Sequence, residues 1–386
     1  MKLFLIAGEP SGDRLGGALM AGLSELRPDV AFAGIGGPAM QAQGLQSLFP
    51  MQELSVFGIA EVLPKYLHLK RRIREAAAAC LASGAEALVT IDSPDFCLRV
   101  AAIVKRAKPG LRTIHYVAPS VWAWRPGRAA KMARHIDHVL ALLPFEPPYM
   151  TAAGMTCDFV GHPVVAEPRA TPAEVAALRA RLGTGPVLLA LPGSRRSEVT
   201  RLAPVFGEVM ARIRHRHPGL TVLVPTVPQV AGLVREAVSG WPVHPLVIED
   251  ADRKRAAFAA ADVALAASGT VSLELAANRV PMVIGYDMNP VSMWLMTRLA
   301  RIDTVTLVNL VSDSRVIPEF LGPRCKADDI AAALVGLLDD PARRQEQLAA
   351  MAVTMERLGQ GGAPPGLRAA RSVLAALVAP PARGGS

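Results

Sequence analysis

Residues 3–17 read LFLIAGEPSGDRLGG, five apolar residues followed at once by glycine, acid, proline and serine. A short apolar run closed by turn residues reads as a strand, and a helix is expected after it over about Leu15 to Leu26. The turn between them decides what kind of α/β fold this is. A dinucleotide loop needs G-x-G-x-x-G, whereas Gly8 and Gly12 stand four apart with Pro10 between them. No Gly-Lys-Ser/Thr follows, so the turn is not a P-loop either. Glu9, Ser11, Gly12 and Asp13 leave two readings open, an anion-binding turn or a plain turn with a capping Ser or Asp.

Outward from this stretch the same alternation continues through VAFAGIGG, ALVTIDS, RTIHYVAPS and HVLALLP, with alanine-rich segments of helical character between. It predicts a parallel sheet covered by helices on both faces. The pattern breaks at FVGHPVVAEPRATP (159–172), where three prolines follow a glycine, and the domain linker is expected there. A second series begins at PVLLALPGSRRSEV and runs through LTVLVPTV, PLVIED, VALAASGTVSLELA and VPMVIGY. The expectation is two Rossmann-like, doubly wound domains, 1–165 and 166–345, facing a cleft. Residues 346–386 are expected as helices returning to the first domain, with a frayed end at PPARGGS.

The composition suits this reading. In 386 residues, 51% are hydrophobic and 19% charged, which excludes disorder. The net charge of +9 points to anionic partners without choosing among nucleic acid, lipid and phosphorylated small molecules. The N-terminal apolar run ends in a turn, unlike a cleavable leader, and no stretch approaches the ~20 apolar residues of a spanning helix. Cys80, Cys97, Cys157 and Cys325 lack metal-ligand spacing and read as buried thiols of a reducing compartment.

The loops after strands carry the polar chemistry, where doubly wound sheets bind ligands. GIGGPAM (34–40) is a second glycine cluster, read as a structural turn. In TIDSPDFCLRVA, Asp95 reads as a helix cap, whereas Asp92 has no such explanation and suits proton abstraction from a hydroxyl. HYVAPSVWAWRPGRA gathers His115, Ser120, Trp122, Trp124, Arg125 and Arg128, either aromatic core or a surface for bases or lipid. LPGSRRSEV sets Ser194 and Arg195 at a helix start, suited to a diphosphate. AASGTVSLELA offers Ser268, Gly269 and Thr270 with Glu274 inside the helix, a nucleoside clamp competing with an ill-spaced capping box. Asp250 and Asp252 read as a helix start rather than a metal site. On the helix VLPKYLHLKRRIREAAAAC, Leu63, Leu67, Lys70, Arg71 and Arg74 form a mixed apolar and basic face, suited to a membrane surface or to plain solvation.

Taken together, AGEPSGD, FGIAEVL, IDSPDF, HYVAPSVWAWRPGR, LPFE, GHP, LPGSR, ASGT with Glu274, PMVIGY and the NL at Asn309 resemble the lipid-A-disaccharide synthase family, over about residues 3–340. These enzymes are GT-B glycosyltransferases. The resemblance implies transfer from UDP-2,3-diacylglucosamine to 2,3-diacylglucosamine 1-phosphate, giving a β-1,6-linked disaccharide and UDP without metal or cofactor. It implies Asp92 as general base, Ser194, Arg195, Ser268, Gly269, Thr270, Glu274 and Asn309 around the UDP, and Glu9, Ser11, Gly12, Asp13, His115, Ser120 and Trp122 on the acceptor side. It also implies a cytoplasmic enzyme, peripheral on the inner face of the inner membrane, binding an anionic membrane surface and no nucleic acid, with a homodimer left open. Gly322 stands where the family often has glutamine. Another GT-B UDP-sugar transferase or a UDP-sugar epimerase is the nearest rival, and a non-catalytic binder of nucleic acid or anionic lipid the rival of another class.

Overall fold

A computed structural model describes residues 1–54, 62–289, 293 and 298–378, with the backbone alone over 62–66. Most of FGIAEVL, the Leu63 side chain and the PPARGGS tail therefore lie outside the described residues. The chain forms two compact units, residues 1–166 with 361–386, and residues 167–360.

In the first unit, β1 (Lys2–Ala7), β2 (Ala31–Ile35), β3 (Ala87–Ile91), β4 (Arg112–Tyr116), β5 (His138–Ala141) and β6 (Thr156–Phe159) form a parallel sheet in the order β2-β1-β3-β4-β5-β6. Side chains alternate across it. The helices between these strands include α1 (Pro10–Leu26), the short α2 (Pro38–Gln41), α3 (Val62–Ala82) and α4 (Pro94–Ala107), and Phe4, Ile6, Leu88 and Val139 pack against α3 and α4. Leu3, Leu5, Val89 and Ile114 pack against α1 and the helix Pro365–Val378. Both faces are thus covered, and the strands read as continuous apolar runs for that reason.

Helix α1 begins five residues earlier than the apolar period suggests, with Pro10 at its first turn. Gly12, Gly16 and Gly17 consequently lie inside the helix rather than in a loop. They give it room. A Cβ on Gly12 would sit 3.2 Å from the Ile91 carbonyl oxygen, and one on Gly16 2.5 Å from Met40 Sδ. The last helix crosses α1 equally closely, since a Cβ on Gly22 would meet the Gly366 carbonyl oxygen at 2.8 Å. Ser372 fastens it to the sheet, 2.8 Å from His138 Nε2 and donating to Asp158 at 2.6 Å.

In the second unit, β7 (Val187–Leu191), β8 (Thr221–Pro225), β9 (Leu246–Ile248), β10 (Val263–Ala266), β11 (Met282–Tyr286) and β12 (Glu319–Leu321) are also parallel, in the order β12-β11-β10-β7-β8-β9. The helix Pro341–Arg357 belongs here, its Thr354 hydroxyl near the Val308 carbonyl and its Gln347 amide bonded to Met282. The return to the first unit therefore begins at Gly361, later than the 346 expected from sequence. Strands β6 and β12 went unforeseen because TCDF and EFL are short edge strands without an apolar run.

Cys80 and Cys97 are buried, whereas Cys157 and Cys325 are only half-buried, and all four are free thiols. Burial pushes the Cys80 thiol up to about 12 and that of Cys325 to about 11, well away from thiolate reactivity.

Candidate active site

Strand register sets the first half of the site. Ala7 pairs with Ile91, and Ile91 with Tyr116, so β1, β3 and β4 end level. Gly8, Asp92 and Val117 therefore emerge side by side where the strand order reverses between β1 and β3, the crevice in which doubly wound sheets bind ligands. Asp92 and Ser93 have φ of 53° and 43°, and Val117 has φ of 86°. Left-handed backbone at three non-glycine residues, one of them β-branched, stores strain of the kind concentrated at functional sites. The sheet holds it in place, because Asp92 N donates to the Tyr116 carbonyl at 2.9 Å and Val117 N to that of Leu140 at 3.0 Å. The Asp92 side chain is half-buried and accepts no hydrogen bond among the described residues. Asp95, the second residue of α4, lies in its first turn but is not its cap; that position is Ser93.

Other residues expected on the acceptor side divide into exposed and structural. Glu9, Ser11 and Ser120 are exposed. Asp13 is not available. It is 4% exposed, and its carboxylate accepts from the backbone of Gly37 (2.8 Å), Ala39 (2.9 Å) and Met40 (3.0 Å). Asp13 thus anchors the GIGGPAM turn, which needs an acceptor for the first amides of its short helix. Gly12 is buried beneath β3. His115 is a core histidine on β4, with Nδ1 2.8 Å from Thr90 Oγ1, and burial pushes it down to about 4. It is neutral near pH 7 and only 2% exposed. Trp122 is half-buried, edge-on to Phe145 at 5.1 Å, and its Nε1 donates to Glu146 at 3.2 Å. Glu146, the acid of LPFE, also accepts from Leu142 N and Leu143 N, and burial pushes its carboxyl up to about 7. Sequence reading quoted that stretch without seeing this clamp.

The second unit repeats the topology with different chemistry. Leu191 pairs with Ala266, so the loops after β7 and β10 emerge together at the strand-order reversal between them. Ser194, Arg195, Arg196 and Ser197 are exposed on one loop, and Gly269 and Thr270 on the other, with Ser268 half-buried. Glu198 changes the expected role of the first loop. Its carboxylate accepts from Ser194 N (3.0 Å), Arg195 N (3.2 Å) and Arg195 Nη1 (2.9 Å). The amides of Ser194 and Arg195 and one Arg195 nitrogen are therefore already engaged, leaving hydroxyls and the rest of the guanidinium. Gly193, at φ 117°, is required here because a Cβ would fall 2.5 Å from the Glu198 carboxylate.

Thr270 makes no side-chain cap, which removes the capping-box reading of Glu274. Glu274 pairs instead with Lys254 at 3.5 Å, a cation that sequence reading left among solvated charges. Asp250 does cap its helix, accepting from Arg253 N at 2.8 Å, and Asp252 pairs with Arg255. Asn309 is 1% exposed and fully used, bonding Thr304, the Ile317 carbonyl and Ile317 N. It fixes the 304–317 segment, with its amide spent on these internal bonds. Gly322 has φ of 54°, a backbone that disfavours the glutamine common elsewhere.

On α3, Leu67 is 71% exposed, and Lys70, Arg71 and Arg74 share its face. Arg72, one position round, is held by Glu53 through two bonds of 2.8 Å. Among the described residues no helix is long and apolar enough to cross a membrane.

Comparison with known proteins follows the same lines. The lipid-A-disaccharide synthetase family matches residues 3–363. A lipid-A-disaccharide synthase of Ruegeria pomeroyi is 63% identical over 97% of this chain and 95% of the relative, and one of Rhodospirillum centenum is 53% identical over 97% and 94%. Among solved structures, UDP-GlcNAc 2-epimerase from Neisseria meningitidis, bound to UDP-GlcNAc, aligns with a TM-score of 0.66 at 10% identity, over 98% of this chain and 100% of that one. Anabaena HepE, in complex with UDP and glucose, aligns with a TM-score of 0.57 at 11% identity, over 97% and 98%. Those two likenesses give the fold, GT-B. The whole-length family match and the close relatives give the kinship: this chain belongs to the lipid-A-disaccharide synthetase family.

Proposed function

We propose that this chain transfers the sugar of UDP-2,3-diacylglucosamine to the 6-hydroxyl of 2,3-diacylglucosamine 1-phosphate, making the β-1,6-linked disaccharide 1-phosphate and UDP. The observation that carries the reading is the family match over residues 3–363, which spans both strand-end constellations. Relatives named lipid-A-disaccharide synthase at up to 63% identity support it.

Asp92 is the general base. Its carboxylate takes the proton of the acceptor 6-hydroxyl as that oxygen attacks the anomeric carbon of the donor. The bond from that carbon to the diphosphate breaks in the same step, its electron pair leaves with UDP, and the configuration inverts. The half-buried carboxylate has no internal donor competing for it among the described residues, which supports this role. Charge arriving on the diphosphate is met by Arg195 and the hydroxyls of Ser194, Ser268 and Thr270, with Gly269 allowing close approach. Glu274 takes the ribose hydroxyls, and Lys254 beside it balances its charge. On the acceptor side, Glu9, Ser11, Ser120 and Trp122 border the sugar. Leu67, Lys70, Arg71 and Arg74 rest on the anionic inner face of the inner membrane, where a diacylated substrate resides.

The epimerase reading rests on likeness at 10% identity, which speaks to fold alone. One assay separates the two. Purified protein given both acylated glucosamines is expected to release UDP only when the acceptor is present, with a disaccharide 1-phosphate in the product. Isomerisation of the donor without acceptor would overturn the proposal.

A further inference from the structure

We infer that Arg125 and Arg128 form a subsite for the phosphomonoester of the acceptor, a role that rests on the function proposed above. Arg125 lies in the loop that leaves β4 beside Asp92, and Arg128 in the short helix Gly127–Ala133 that follows. Arg128 N donates to the Arg125 carbonyl at 3.1 Å, so the two residues are held within one turn of each other. The turn is built rather than loose. Val121 is 2% exposed, and Trp122 is pinned between Phe145 and the buried Glu146.

The chemistry of the two guanidinium groups is that of an unfilled anion site. Arg125 lies over the Trp124 ring at 4.3 Å, which engages the face of its guanidinium and leaves the N–H edges for oxygen. Among the described residues, neither Arg125 nor Arg128 has a carboxylate partner. Elsewhere in this unit the half-buried Arg72 and Lys105 are paired, with Glu53 and Asp137. Arg128 is half-buried, so its charge is partly desolvated and gains from an incoming dianion.

Position agrees with chemistry. Tyr116 pairs with Ile91, so the loop starts one strand, about 4.8 Å, from Asp92. In the acceptor, the 6-hydroxyl arm and the 1-phosphate flank the same ring oxygen. A sugar whose hydroxyl reaches Asp92 therefore presents its phosphate within one ring's breadth, toward a neighbouring loop.

The test compares the phosphorylated acceptor with the same diacylglucosamine lacking phosphate, in one detergent, for the wild type and for R125Q/R128Q. The double variant is expected to raise KM for the phosphorylated acceptor roughly tenfold to a hundredfold, and to leave KM for the dephosphorylated one unchanged. R125K/R128K is expected to restore part of the loss. UDP affinity, read by titration, is expected to stay at the wild-type value. An unchanged preference for the phosphorylated acceptor, in a variant that still binds UDP, overturns the inference. So does loss of sedimentation with phosphatidylglycerol vesicles while the preference survives, which assigns the cations to lipid headgroups. A wild-type protein without acceptor-dependent UDP release overturns the functional reading first and this subsite with it. If the double variant loses UDP binding, R125Q alone, at an exposed position, carries the same comparison.

Discussion

The two strand-order reversals of this protein are alike in topology and opposite in chemistry. Between β1 and β3, the sheet ends in strained backbone and an aspartate whose carboxylate has no internal donor among the described residues. Between β7 and β10, the acid of the loop, Glu198, is fully engaged by its own amides and Arg195, and what faces outward is hydroxyl and guanidinium. Among the described residues, one crevice leaves a carboxylate without an internal donor and the other leaves hydroxyls and part of a guanidinium outward. In the proposed reaction the same scaffold serves proton abstraction at one sheet and leaving-group stabilisation at the other, by which groups the fold itself consumes.

Asp92→Asn is the strongest way to break this contrast. It is expected to lower kcat by roughly 10²–10⁴-fold with UDP affinity unchanged, as measured by turnover and titration. Near-normal turnover would remove the base from the first crevice. The units differ next in surface, since α3 of the first carries the basic face. Changing Lys70, Arg71 and Arg74 together to Ala is expected to weaken association with anionic vesicles by about a hundredfold, at ~1 kcal/mol per cation. Sedimentation unchanged at low salt would make that face a solvated one.

In the second crevice, Glu198→Gln removes a charged acceptor from the loop that presents Arg195. UDP binding is expected to weaken about tenfold by calorimetry. Tighter binding would mean that Glu198 competes with the ligand instead of shaping the loop. The smallest effect concerns Glu146. Its carboxyl holds a proton in the folded protein up to about pH 7, against about 4.5 in the unfolded chain. Its contribution is complete below pH 4.5 and is lost as pH rises toward 7. Glu146→Gln is expected to flatten the fall in Tm across that window by roughly 2–4 °C, seen by differential scanning calorimetry. A wild-type Tm profile identical to the variant's would show the group ionising freely.

Much of this was legible from residues alone. Ten of the twelve strands among the described residues announced themselves as apolar runs, because strands covered on both faces must be apolar along their whole length. Asp92, Ser194, Arg195 and the Ser268–Thr270 loop were singled out by one rule, that polar residues directly after such strands sit at the ligand-binding end of the sheet, and the structure leaves them exposed or half-buried there. Asp13 and His115, singled out in the strand-end stretches, and Asn309, implied by the family resemblance alone, differ. All three have the polar character of site residues, and each is consumed by internal partners: turn amides 24 to 27 residues away for Asp13, Thr90 for His115, Ile317 and Thr304 for Asn309. Nothing local distinguishes a polar group that meets a ligand from one that meets distant backbone.

The glycines of GEPSGDRLGG show the same division. Sequence by itself excluded a dinucleotide loop, since glycine spacing is a local property. That Gly12, Gly16 and Gly17 serve close passage of a helix over β3 and its neighbouring turn was decided only by tertiary structure. Local chemistry determined the strands, the helices and the kinds of groups at their ends. Which of those groups stay available for a substrate depended on burial and on partners brought together by folding, because a hydrogen bond made internally is one withdrawn from a ligand.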